Sequence, residues 1–229
     1  MPLRRPHELL VFACAIALSA TSSKGTYVRM NVFLCGVESH DVSGTARSTD
    51  YGTQLLISLI KSGGASAWDR VEVWEIEEQL KADAHHLRTA ALPCLTSDQV
   101  RGVDSTLEHN QWPRSSRPGW LTRASRSGSI ELPPEEARTQ LARVINNLGV
   151  LFLTAGTYDD ALTALRQGES IFREALPTEN RNLGGLLSNI AGACLSQERM
   201  LEGRPSLWGD KWRAQADRCM QEARSLGYP

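Results

Sequence analysis

The chain has 229 residues, 41% of them hydrophobic, with 25 basic and 26 acidic side chains and a formal charge of −1. That length suits one or two domains. The near-neutral balance removes the general reason to expect a nucleic-acid partner.

At the N-terminus, Arg4 and Arg5 precede the apolar run LLVFACAIALSA (Leu9 to Ala20), and small polar residues follow. A basic start, an apolar core of about a dozen residues and small residues near a cleavage point describe a secretory signal peptide over residues 1–22. The run is shorter than the ~20 residues a membrane-spanning helix needs, so no membrane span is expected. Glu8, directly before the core, counts against a signal. The other readings are an apolar helix opening a cytoplasmic chain, or an upstream extension with Met30 as the start. Localisation leans to the secretory pathway, with the cytoplasm as the alternative.

Residues 30–95 read as helical, with one short apolar run, Asn31 to Val37, equally compatible with a buried strand or a helix end. Ser48 or Thr49 is placed to cap a helix through Leu55, Leu56, Leu59 and Ile60, stopped at Gly63-Gly64. Ser66 with Asp69 resembles a capping box for the next helix. There Val73, Ile76, Leu80, Ala84, Leu87 and Ala91 keep helical spacing, with Glu75, Glu77, Glu78 and Lys81 mostly on the other face and Pro93 as terminator. These two helices would form a hairpin able to cap whatever follows.

Periodicity is lost over residues 96–132, where Pro113, Pro118 and many Ser and Arg surround two isolated tryptophans, Trp112 and Trp120. The composition predicts a flexible linker, and Arg114, Arg117, Arg123 and Arg126 fit that better than a nucleic-acid groove. Of the five cysteines, loss of Cys14 with a signal peptide would leave Cys35, Cys94, Cys194 and Cys219, an even number that permits disulfides without implying them.

The strongest pattern lies in residues 133–229. Pro133-Pro134-Glu135-Glu136 suits a helix start, with proline in the first turn and acids at the positive end. Val144, Ile145, Leu148, Leu151 and Phe152 form one apolar face. Gly149 leaves room for a second helix, and Gly156 suits the left-handed position past the last turn. Ala161, Leu162, Leu165 and Ile171 supply the inward face of an antiparallel partner, with Ala161, Ala164 and Gly168 allowing close approach.

Taken together, Leu148-Gly149, Phe152, Gly156, Tyr158, Ala161 and Leu165 resemble a tetratricopeptide repeat. Ile145, Gly168 and Arg173 depart from the Trp, Ala and Pro that the family prefers at those places. A shift of 42 residues brings Asn147-Leu148-Gly149 onto Asn189-Ile190-Ala191 and Phe152 onto Cys194. That spacing exceeds the common period of about 34 residues and is similar to the long repeats of kinesin light chains. Ala216, Met220 and Ala223 repeat the second-helix spacing after an inserted stretch marked by Gly203, Pro205 and Gly209.

The resemblance implies an all-α fold of helix–turn–helix repeats, a fragment of an α-solenoid, acting as an adaptor or scaffold. Its partner would be a protein or peptide lying along the first helices. Arg143, Asn146, Asn147, Ser188 and Asn189 are the implied partner-binding residues, the amides pairing with a peptide backbone and Arg143 with a carboxylate. The Lys-and-Asn clamp for chaperone C-terminal tails is replaced by Asn146 and Val150. Two units are fewer than the three or so an independent solenoid needs, so the open faces require upstream helices, a second copy or a partner. An open apolar face at Leu186, Leu187 and Leu195 would favour self-association.

Enzymatic chemistry is not expected. There is no phosphate loop, GxSxG elbow, HExxH or CxxC, and no catalytic residue, metal site or cofactor is assigned. The alternative function is an enzyme built on Cys35 or on His85 and His86, with the repeats as a regulatory arm. Such a site would need those side chains gathered in one pocket with a base in reach.

Overall fold

The computed structural model describes residues 15–21, 27–34, 53, 56, 70–108, 132–175, 180–200 and 207–228. In chain order they form strands β1 (Ala15–Thr21) and β2 (Tyr27–Phe33), then helices α1 (Arg70–Ala91) and α2 (Ser97–Glu108), joined by a 3-10 turn at Leu92–Cys94. Helices α3 (Pro134–Ala155), α4 (Tyr158–Glu174), α5 (Asn180–Met200) and α6 (Leu207–Ser225) follow. Thr53 and Leu56 are also helical.

The helical expectation holds over the described residues from Thr53 onward, and a β-hairpin adds to it at the other end. β1 and β2 pair antiparallel, from Ala15 opposite Phe33 to Thr21 opposite Tyr27. A two-stranded ribbon is marginal by itself, and here β2 lies against α5. The strand considered at Asn31 to Val37 therefore begins four residues earlier and overlaps it at 31–33.

The linker expectation over 96–132 needs correction at its start, because Ser97–Glu108 is a helix. Its cause is local. Thr96 Oγ1 accepts the Gln99 backbone N–H at 3.2 Å while Gln99 Oε1 accepts the Thr96 N–H at 3.0 Å, so both donors are satisfied as in a capping box. The buried face of α2 mixes Gln99 and Thr106 with Val103, which hides the helix from a search for apolar periodicity. Residues 109–131, with Trp112, Trp120 and the arginine cluster, lie outside the described residues.

Helix ends elsewhere fall where the residues dictate. Pro93 sits in the 3-10 turn that follows α1. α3 opens at Pro134 with Glu135 and Glu136 in its first turn. It closes on Gly156 at φ 81°. There the Gly156 N–H reaches the Leu153 carbonyl and the Thr157 N–H the Phe152 carbonyl, the paired bonds of a Schellman motif.

Three helical hairpins stack in series. α1 with α2, α3 with α4 and α5 with α6 are the paired elements; α1 packs on α3, α2 on α4, and α4 on α5. One cluster of buried apolar side chains runs through all three hairpins, from Ile76 and Leu87 through Leu148 and Phe172 to Leu187 and Ala223, and takes in Leu34 and Leu56. The earlier helix expected to pair with α1 lies, apart from Thr53 and Leu56, outside the described residues; among these, α1 is followed by α2 and packs on α3. Polar ties also cross hairpin boundaries. The Gln99 side chain donates to the Ser170 carbonyl at 3.2 Å, Gln167 donates to the Gln99 carbonyl at 3.0 Å, and Arg173 joins Glu169 to Glu222 at 2.7 Å each. Among the described residues no helix is long and apolar enough to cross a membrane.

Candidate interaction face

The first helices of the two C-terminal hairpins, α3 and α5, carry all five residues expected to meet a partner. Asn146, Asn147 and Asn189 are at most 1% exposed, and they form a relay. Asn189 Nδ2 donates to Asn146 Oδ1 at 2.9 Å, Asn146 Nδ2 to Asn147 Oδ1 at 3.1 Å, and Asn147 Nδ2 to Thr53 Oγ1 at 2.9 Å. Each of the two α3 amides gives through nitrogen and accepts through oxygen, so its dipole is used at both ends. Buried polar groups need such partners, and a chain of them polarises cooperatively in a low dielectric.

The structure therefore brings the three asparagines together, but with their amides engaged on one another and on Thr53 instead of open to solvent. Arg143 and Ser188 lie on the same two helices and are half-exposed. Val150 is fully buried, so neither residue standing in the chaperone-tail clamp positions is presented outward.

The geometry that holds α3 against its neighbour comes from Gly149. A β-carbon there would stand 2.7 Å from Leu165 Cγ, inside van der Waals contact. The equivalent position on α5, Ala191, is buried, as are the pairs Leu148 and Ile190, and Phe152 and Cys194. In the second helices Ala161 matches Ala216 and Gly168 matches Ala223, all buried, while Leu165 is buried and Met220 half-buried. Leu186 and Leu187 are enclosed and Leu195 is partly buried against the core, so they form no open apolar face.

Burial pushes the Cys194 thiol up to about 11, and the Cys219 thiol is raised for the same reason. Both remain protonated and unreactive near neutrality. Cys35 lies outside the described residues. His85 is exposed and His86 half-buried on α1. Among the described residues no three His, Cys, Asp or Glu side chains come together as a metal site.

Sequence reasoning missed two features. Thr53 enters the relay from 94 residues away, and no local pattern could signal that. On α1, Glu77 and Lys81 are buried as an ion pair at 2.6 Å, although their charge placed them on the outer face. The i,i+4 spacing lets each neutralise the other. No protein-family model, no curated protein and no solved structure matches the chain.

Proposed function

We propose that this chain is a protein-interaction scaffold, built of tetratricopeptide-like helical hairpins, that receives a segment of another protein along α3 and α5. The observation that carries the reading is the serial packing of α3–α4 and α5–α6. α4 lies on α5, and positions 42 residues apart, Leu148 with Ile190 and Phe152 with Cys194, are buried alike. Repeated hairpins stacked in this way offer a continuous surface with rigid spacing. Arg143 and Ser188, half-exposed on that surface, are the side chains through which a partner is contacted. The guanidinium of Arg143 favours a carboxylate.

The test is position-dependent cross-linking of the full chain in cells. A photoreactive residue is placed at Arg143, at Ser188 or, as a control, at exposed Thr163 on α4. The same protein recovered from positions 143 and 188 but not from 163 supports the reading. Adducts that are absent at both, or equally strong at 163, remove it.

A further inference from the structure

The last hairpin brings two thiols together beside one guanidinium. Cys194 on α5 and Cys219 on α6 are 0% and 6% exposed, and both are free thiols. From α4, Arg166 donates through Nη2 to Cys219 Sγ at 4.0 Å and through Nη1 to Glu169 at 2.5 Å. Two other contacts fix the level at which α5 and α6 face each other. Arg213 Nε donates to Glu198 at 2.8 Å, and a β-carbon on Gly184 would stand 2.8 Å from Tyr228 Cβ. Cys194 lies four residues before Glu198. In this antiparallel pair it therefore stands about one turn beyond Arg213, between the levels of Ala216 and Cys219. Ala191 shares the face of Cys194, and Ala216 and Ala223 share that of Cys219, all of them buried. Side chains this small let two helices approach at the short end of the ~8–10 Å range. That is close enough for the Cα spacing of about 4.4–6.8 Å that a disulfide needs. The thiols also sense one another: burial is the first reason that Cys194 is pushed up, and the charge Cys219 would carry is the second.

We propose that Cys194 and Cys219 form a redox site, which a small disulfide such as oxidised glutathione closes into a cross-helix bond fastening α6 to α5. The inference goes beyond the scaffold reading and does not depend on it. In the first exchange the Cys219 thiolate attacks the glutathione disulfide, forming a mixed disulfide and releasing one glutathione thiolate. In the second the Cys194 thiolate attacks the Cys219 sulfur and releases the other. Two protein thiols are oxidised, the glutathione disulfide is reduced, and the two thiol protons pass to the departing glutathiones. Cys219 takes the first step because it holds the direct Arg166 contact, which favours its thiolate against the larger opposing effect of burial. Access comes from α6 itself. Among the described residues α6 packs on α5 and exposes Asp217, Arg218, Gln221 and Arg224 on its other side. An end element of this kind opens locally before the core does, so exchange is slow and is set by that opening.

The experiment incubates the reduced full chain with oxidised glutathione at pH 8 in native buffer, quenches with acid, and maps tryptic peptides without reduction. Cleavage at Arg199 and Arg218 separates the two cysteines. The expected result is a monomeric chain whose Cys194 and Cys219 peptides are joined, formed faster as denaturant is raised below the unfolding midpoint. It should melt about 5–10 °C higher than the reduced chain. Dithiothreitol should restore the lower melting temperature, and Cys219→Ala should show neither the joined peptides nor the rise. Thiols that stay reduced, glutathione left on either one without the second exchange, either one joined to a different cysteine, or a joined chain that melts no higher overturns the proposal. Should circular dichroism show Cys219→Ala unfolded, the wild-type peptide map and its melting before and after dithiothreitol decide the matter without a variant.

Discussion

Asn146 makes the case for how much one side chain can decide. It joins α5 to the remainder of the relay, accepting from Asn189 and donating to Asn147. Truncation to alanine leaves buried amide groups without these partners, at a cost of about 1–3 kcal/mol. Replacing both Asn146 and Asn189 with leucine removes both members of their bond together, while the donor to Asn147 is lost in either Asn146 variant, so the double variant should lose less than the two single leucine changes added together. Urea denaturation of the four chains in a double-mutant cycle measures the coupling; strict additivity would mean the 2.9 Å contact carries no energy. Cys194 shows the opposite kind of residue, chemically silenced by its surroundings. With its thiol pushed up to about 11 by burial, it should react with a disulfide reagent at pH 8 only as fast as the fold opens, so adding denaturant should accelerate labelling. Rapid modification of the native chain at that position would contradict its burial.

At the level of elements, glycine on the two first helices gives a contrast that separates packing from propensity. A β-carbon at Gly149 collides with Leu165, whereas one at Gly192 on α5 meets nothing within 4 Å. Gly149→Ala should therefore destabilise by about 1–3 kcal/mol through overpacking, while Gly192→Ala should stabilise by about 0.4–1 kcal/mol by restricting the unfolded chain. Thermal unfolding of the two variants should shift in opposite directions; shifts of the same sign would show that the space beside the two glycines does not differ as described. The α3–α4 hairpin was legible in the sequence because everything that builds it is local: proline and acids at the start, a 3.6-residue apolar rhythm, Gly156 at the stop. α2 was equally local, but its signal was the Thr96–Gln99 cap, not its half-polar face. β1 was not legible, since AIALSAT lacks the alternation of a half-buried strand and lies within an apolar run whose basic start resembles a signal peptide. Nor was the relay, because spacing along the chain identifies helix faces but not which two faces meet.

Over the whole molecule, the hairpins are held in register by charge as well as by the apolar core. Arg173 reaches from α4 to Glu169 on its own helix and to Glu222 on α6, so one guanidinium spans the last two hairpins. Its hydrogen bond to Glu222 is the main reason that carboxyl is held below its ordinary range, with burial opposing and the positive charge assisting. A carboxyl whose pKa is lower in the folded than in the unfolded state adds stability above its unfolded value. That contribution is lost as the pH falls through the folded value. The relevant window therefore lies below the ordinary glutamate range near pH 4.3. Both partners are substantially exposed, so the pair contributes no more than about 1 kcal/mol. Arg173→Met should melt at a lower temperature than the wild type at pH 6, and the two curves should converge as the pH is lowered past 4 in dilute buffer. Added salt at pH 6 should narrow the same gap, because exposed charges are screened within about 10 Å at 0.1 M. A gap that is unchanged by both acid and salt would assign Arg173 a packing role through its aliphatic stem. The tie between α4 and α6 would then be apolar, and the register of the last two hairpins would rest on Ala216, Ala223 and their neighbours in the core.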